Sequence, residues 1–99
     1  MEVYRVREVK FIWLGDNGVK LQTLREYERL SSDQAGLIEQ VRHFFEMEMA
    51  SPKALKTVDY DALIIVDSSG EEIARFSVSE FWNRMWNDVS PETASAHRT

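Results

Sequence analysis

The chain reads as an α+β domain of order β-β-α-β-β-α: a four-stranded, mostly antiparallel sheet with two helices packed on one face. Three observations predict this. Gly15-Asp16-Asn17-Gly18 is a turn signal between two alternating segments. Leu37, Ile38, Val41, Phe44, Phe45 and Met49 recur at the i, i+3, i+4, i+7 spacing of one helical stripe. Ala62-Leu63-Ile64-Ile65-Val66 is an apolar run of strand length, followed by a turn and a returning strand.

Each element has its own reason. From Glu2 to Leu14, Tyr4 and Val6 share one parity while Val9, Phe11 and Trp13 share the other. That change of phase near Arg7-Glu8 predicts either a bulge or a strand exposed differently along its length. Asn and Gly in the following turn tolerate the positive φ of tight hairpins. Val19, Leu21 and Thr23 then alternate with Lys20 and Gln22, so residues 2–24 form a hairpin. Between Thr23 and Leu30 the reading stays open, because Leu24, Tyr27 and Leu30 also sit at helical spacing.

Ser31-Ser32-Asp33-Gln34 matches a capping box, with Ser31 as the capping hydroxyl. The helix that follows ends near Ala50, where Ser51-Pro52 disfavours continuation. Pro52 is suited to begin one short helical turn. The Ala62–Val66 run is apolar on both parities, which predicts a central strand. Asp67-Ser68-Ser69-Gly70 turns the chain, and Glu72 to Val78 returns. Ser77 or Ser79 caps a second helix with Phe81, Trp82, Met85, Trp86 and Val89 as its apolar stripe. Residues 1–90 are thus read as one domain and residues 91–99 as a disordered tail. Strand order does not follow from the pattern.

Composition excludes several function classes. The 99 residues contain no Cys, so there is no disulfide framework, thiol catalysis or Cys-based zinc site. No apolar run approaches the about 18 residues of a transmembrane helix, and no signal-peptide h-region is visible. The expected location is cytoplasmic. The net charge of −5 is unevenly placed: residues 1–30 are close to neutral, and residues 31–72 carry nine acidic against three basic side chains. An acidic middle repels phosphates and favours a basic partner surface.

The chemistry-bearing constellations are few. Glu39, His43 and Glu46 share one helix flank, and a small metal-dependent enzyme around His43 is one alternative reading. A solvated flank with ion pairs to Arg42 explains the same residues. Asp59 and Asp61 precede the apolar strand and Asp67 follows it, a spacing too long to share one ion. No nucleophile elbow, phosphate loop or dinucleotide fingerprint is present, so no catalytic residue, cofactor or metal is assigned. Arg5, Arg7, Phe11 and Trp13 suggest a second alternative, a single-strand nucleic-acid binder with an exposed sheet. The acidic balance opposes it, and cross-strand ion pairing of Arg5 and Arg7 is the simpler account.

No family is recognised across the chain; small acidic cysteine-free α+β proteins are frequent among bacterial and phage accessory proteins, immunity proteins and inhibitors among them, an association of size and charge and not of motif. The expected function is therefore a small acidic protein-interaction domain of inhibitor or immunity type, with a basic protein surface as partner. Nucleic acid and membrane are disfavoured as partners. The expected contact residues are Glu39, Glu46, Glu48, Asp59 and Asp61, with Trp13 and Trp86 as aromatic anchors. Homodimerisation through an open sheet face or edge would also cover exposed aromatics.

Overall fold

A computed structural model describes residues 1–51, 53 and 58–89, the last two as backbone only. The expected short turn at Pro52, the side chain of Val89 and the expected tail at 91–99 lie outside the described residues. The elements are β1 (Glu2–Trp13), a 3₁₀ turn (Gly15–Asn17), β2 (Val19–Ser31), α1 (Gln34–Ala50), β3 (Ala62–Val66), β4 (Glu72–Ser77) and α2 (Val78–Val89). All strand pairings are antiparallel, in the order β2-β1-β3-β4. The α+β architecture and element order match those read from the sequence.

β2 runs on to Ser31, and the helical spacing of Leu24, Tyr27 and Leu30 is not used. Charge pairing across the strands accounts for this. Arg5 lies opposite Glu28, Arg7 opposite Glu26 and Glu8 opposite Arg25, and each pair closes as an ion pair. Opposite charges set face to face on neighbouring strands stabilise that register.

Both alternatives for the phase change in β1 contain part of the answer. The β1–β2 register shifts between Glu8 and Val9, leaving Leu24 as the extra residue on β2. β1 itself stays in register with β3 from Arg5 to Val9. Tyr4 and Val6 are buried with the helices, whereas Val9 belongs to a separate buried cluster on the other face. The strand changes its covered side along its length without a bulge of its own.

The helix cap differs from expectation. Asp33, not Ser31, is the N-cap of α1, and its carboxylate accepts from the Gly36 amide at 3.0 Å. Ser31 completes β2, and its hydroxyl bonds the backbone of Asp33. At Gly36 a Cβ would stand 2.4 Å from the Asp33 carboxylate, so a larger residue there would make the capping side chain shift. Ser77 caps α2, accepting from the Glu80 amide at 3.3 Å, so this helix follows β4 without a loop.

The main core lies between the sheet and the helices. Leu37, Val41, Phe45 and Met49 of α1 and Phe81 of α2 close on Tyr4, Val6, Leu63 and Ile65. Phe45 stacks on Phe76 and meets Phe81 edge-on. Phe44, expected in the buried stripe, is 55% exposed on the flank of α1. Trp82 is half-buried, but Met85 and Trp86 lie towards solvent, so among the described side chains of the expected stripe burial is confined to the first turn of α2.

No described helix is long and apolar enough to cross a membrane.

Ile65 has no exposed surface and sits at the centre of the main core. Ile65→Ala should cost about 2–5 kcal/mol in urea unfolding. Leu30→Ala, at an exposed position, should stay within about 0.5 kcal/mol of the native chain. Equal losses at the two positions would contradict this packing.

Candidate functional site

The face of the sheet turned away from the helices is built from the odd-numbered residues of β1. Three cross-strand rows can be read from the pairing. Thr23, Val9, Ala62 and Ser77 form one; Glu26, Arg7, Ile64 and Arg75 the next; Glu28, Arg5, Val66 and Glu72 the third. Val9, Ala62, Ile64 and Val66 are buried here although neither described helix covers them. Arginines flank them instead. The Arg7 guanidinium meets Glu26 at 2.6 Å and Arg5 meets Glu28 at 3.8 Å. Arg75 binds both carboxylate oxygens of Glu72, at 2.9 and 2.8 Å. It also lies 5.9 Å from the centre of the Phe11 ring. Phe11 is on β1 and Arg75 on β4, with β3 between them, so the pair meets above β3. Long arginine stems cover apolar surface well while their heads stay in water. Each of these three arginines has a glutamate partner, so the rows carry no net charge.

Beyond the rows the face becomes apolar. β3 pairs with β1 only from Arg5 to Val9, whereas β1 and β2 remain paired out to Trp13 and Val19. The end of the hairpin projects past β3. Asp61 ties its base down: its carboxylate accepts from the Phe11 amide at 2.7 Å, and its own amide donates to the Val9 carbonyl at 2.7 Å. Lys10 adds a bond from its ammonium to the Asp59 carbonyl at 3.3 Å. The tip closes through the Leu14 amide on the Gly18 carbonyl at 2.7 Å, with Gly15 and Gly18 at φ of 65° and 88°. On this arm Phe11, Trp13, Val19 and Leu21 share the helix-free face and are all exposed, Trp13 by 74%. Phe11, Val19, Leu21 and Arg75 line an open concavity of about 480 Å³.

The acidic residues singled out in the sequence are not one surface. Glu39 and Glu46 flank Arg42 and bond it, Glu46 at 3.6 Å, and Glu46 also lies 3.7 Å from Arg84. Glu48 is nine residues from Glu39, half a turn away around a 3.6-residue helix. It faces β2 and accepts from the Tyr60 hydroxyl at 2.8 Å. Asp59 is held by Arg25, which also grips Glu8. Asp61 is taken up by the ladder as described. Trp86 is 69% exposed on α2, on the helix side, and Trp13 stands on the opposite side of the sheet. Among the described residues no group of three or more His, Asp or Glu side chains could hold a metal ion. The Glu39–His43–Glu46 spacing is instead occupied by Arg42.

The electrostatics follow these contacts. Hydrogen bonding to Arg25 holds the Asp59 carboxyl below its ordinary range and raises the guanidinium further. Desolvation, reinforced by the Glu48 carboxylate, pushes the Tyr60 hydroxyl well above the usual tyrosine value. Asp67 is lowered by the Ser69 hydroxyl and by the Glu71, Ser69 and Gly70 amides, consistent with its role in the turn. Glu72 is lowered by Arg75. None of these groups is turned into a cavity as an isolated acid or base. The cavity of about 310 Å³ between α1, β4 and α2 is lined by Arg42, Glu46, Arg75, Glu80 and Arg84; Arg42 and Arg84 share Glu46, and Arg75 is held by Glu72 from outside the lining.

Sequence reasoning missed Arg25, which joins β2, β1 and the segment before β3 and whose only signal was a cation within an alternating stretch. Asp61, expected as a contact residue, acts instead as a piece of ladder.

A depressed carboxyl stabilises the fold above its unfolded pKa, and that contribution is lost as the pH falls through the folded value. Asp59→Asn should therefore lower Tm at neutral pH, and its gap from the native chain should close as the pH drops below about 4. Melting curves from pH 7 to about pH 2 check this, and a constant gap would contradict the Arg25 pairing.

Comparison of the chain with protein-family models, with curated proteins and with solved structures finds no match to any of them.

Proposed function

We propose that the protein is a non-catalytic interaction domain whose contact surface is the helix-free end of the β1–β2 hairpin. The observation that carries this reading is the cluster of Phe11, Trp13, Val19 and Leu21, exposed together on one face. Exposed apolar clusters with a polar rim mark association surfaces, and tryptophan is enriched among the residues that dominate binding energy. The ion-paired rows beside the cluster form such a rim.

This reading refines the expectation of an acidic surface that docks on a basic partner. Glu39, Glu46 and Asp59 already have arginine partners, and Glu48 and Asp61 have hydrogen-bond donors. The charge they offer outward is reduced accordingly. An inhibitor or immunity-type role remains compatible with an apolar contact, and the lack of cysteine supports the cytoplasm as its location.

The nucleic-acid alternative rests on Arg5, Arg7, Phe11 and Trp13 sharing this face. Phosphate binding needs cations free to replace counterions, and here Glu28 and Glu26 hold both arginines.

Two measurements separate the readings. Partner capture by the tagged chain should survive high salt and be lost in Trp13→Ser. Capture that disappears at high salt and is unaffected by Trp13→Ser would return the contact to the acidic side chains. Titration with a single-stranded oligonucleotide at low salt should leave tryptophan emission unchanged. Quenching that Arg5→Ala and Arg7→Ala remove would assign the face to nucleic acid.

A further inference from the structure

We infer that the partner at this surface is a second copy of the chain, joined through the first half of the β2 edge, Val19 to Thr23, with Leu21 on the two-fold axis. The inference rests on the reading of the hairpin end as a contact surface and names its occupant.

β2 is an edge strand of 13 residues and pairs with β1 alone among the described strands. Natural sheets protect such long edges, since unpaired amides and carbonyls template a further strand. In a two-fold antiparallel pairing the axis must pass through a residue, because an axis between residues would set side chains of opposite faces against each other. The β2 sequence can then be tested register by register. Centred on Arg25, Glu26, Glu28 or Arg29, the strand opposes that charge to its own copy. Centred on Tyr27, it opposes Glu26 to Glu28 and Arg25 to Arg29. Every register centred from Arg25 to Arg29 therefore brings like charges together, which is destabilising, and one centred on Leu30 runs off the strand after Ser31.

The first half behaves differently. A register centred on Lys20 opposes two ammonium groups, and one centred on Gln22 runs into the extra residue Leu24. Centred on Leu21, Val19 meets Thr23, Lys20 meets Gln22 and Leu21 meets Leu21, with no like charges and no bulge. This register places Val19, Leu21 and Thr23 on the same face as Phe11 and Trp13, so the two apolar clusters become continuous. The product is an eight-stranded sheet running β4-β3-β1-β2 and back through the second copy.

The seam is narrow: Val19 and Leu21, 51% and 40% exposed, stand on the pairing strand together with its free backbone groups, and Phe11 and Trp13 lie one strand further in. A dimer with Kd in the micromolar range is the expectation for so small a contact.

The test is sedimentation equilibrium of the full chain with charge variants at the axis. The native chain should dimerise. Leu21→Lys and Leu21→Glu should each be monomeric with native far-UV circular dichroism, and mixing them should restore a one-to-one dimer. Gln22 lies off the apolar face, so it reports the register separately. Gln22→Glu should tighten the dimer, and Gln22→Lys should weaken it, by roughly three- to thirtyfold over the two symmetric pairs.

A native chain that stays monomeric overturns the inference. If Trp13→Ser then still abolishes capture of another protein, the interaction-domain reading survives with a different partner. A dimer indifferent to Leu21→Lys, or one that responds to Trp13→Ser but not to either Gln22 variant, also overturns it, since that contact would be elsewhere or face to face.

Discussion

Five consecutive side chains without a polar atom cannot leave either side of a strand in water, and Ala62–Val66 places that demand on the rest of the chain. All five are buried. Leu63 and Ile65 turn to the helices, and Ala62, Ile64 and Val66 turn the other way. The two helices pack on one face only. The second face is closed by what the neighbouring strands can supply: Val9 from β1, and the stems of Arg5, Arg7 and Arg75 held in place by glutamates. The individual ion pairs are exposed and each contributes little to stability. Their main effect is to hold apolar methylenes over β3.

The same strand creates the apolar cluster at the hairpin end by being short. β3 has 5 residues and β1 has 12, a difference of roughly 23 Å of extended chain. Where β3 stops, the four-strand rows stop with it. Asp61 supplies two more backbone contacts with β1 and then the chain turns away. Phe11, Trp13, Val19 and Leu21 keep the alternation of a half-buried hairpin without a layer to bury them. Arg75 reaching towards Phe11 is the last element of the cover. The exposed apolar cluster is thus a consequence of unequal strand lengths and not of a pocket.

The element order was legible because each element carries a strong local signal: the Gly-Asp-Asn-Gly turn, the α1 periodicity, the run of β3 and the turn at Asp67. The extent of β2 was not, because its second half fits a helix and a strand equally well by apolar spacing. What decides it are Glu26, Glu28 and Arg25, whose partners lie about 20 residues away on β1. The cap of α1 was misplaced by two residues because Ser31 and Asp33 both suit the position, and only the end of β2 distinguishes them. The contact residues were half legible. Trp13 could be singled out as an aromatic on a strand of uncertain cover. The acidic set could not be resolved, because a count of charges does not reveal that Arg42, Arg84 and Arg25 stand beside Glu39, Glu46 and Asp59. Glu48 was grouped with Glu39 by sequence proximity, although helical geometry alone sets them on opposite sides.

The charges of β2 act in two directions at once. Towards β1, Arg25, Glu26 and Glu28 fix the register against Glu8, Arg7 and Arg5. Along the free edge, the same charges oppose every self-pairing centred from Arg25 to Arg29. Edge protection is therefore complete from Arg25 to Arg29 and lapses from Val19 to Thr23, where the only charge is Lys20. The boundary between the two stretches is Leu24, the residue left out of the β1 pairing. A bulge there offsets the two halves, so a strand added to one half cannot continue along the other. The unprotected stretch also coincides with the part of the hairpin that lacks cover on the helix-free face. Exposed edge and exposed apolar face meet at Leu21, and a strand paired there would close the edge and continue the face into the second copy.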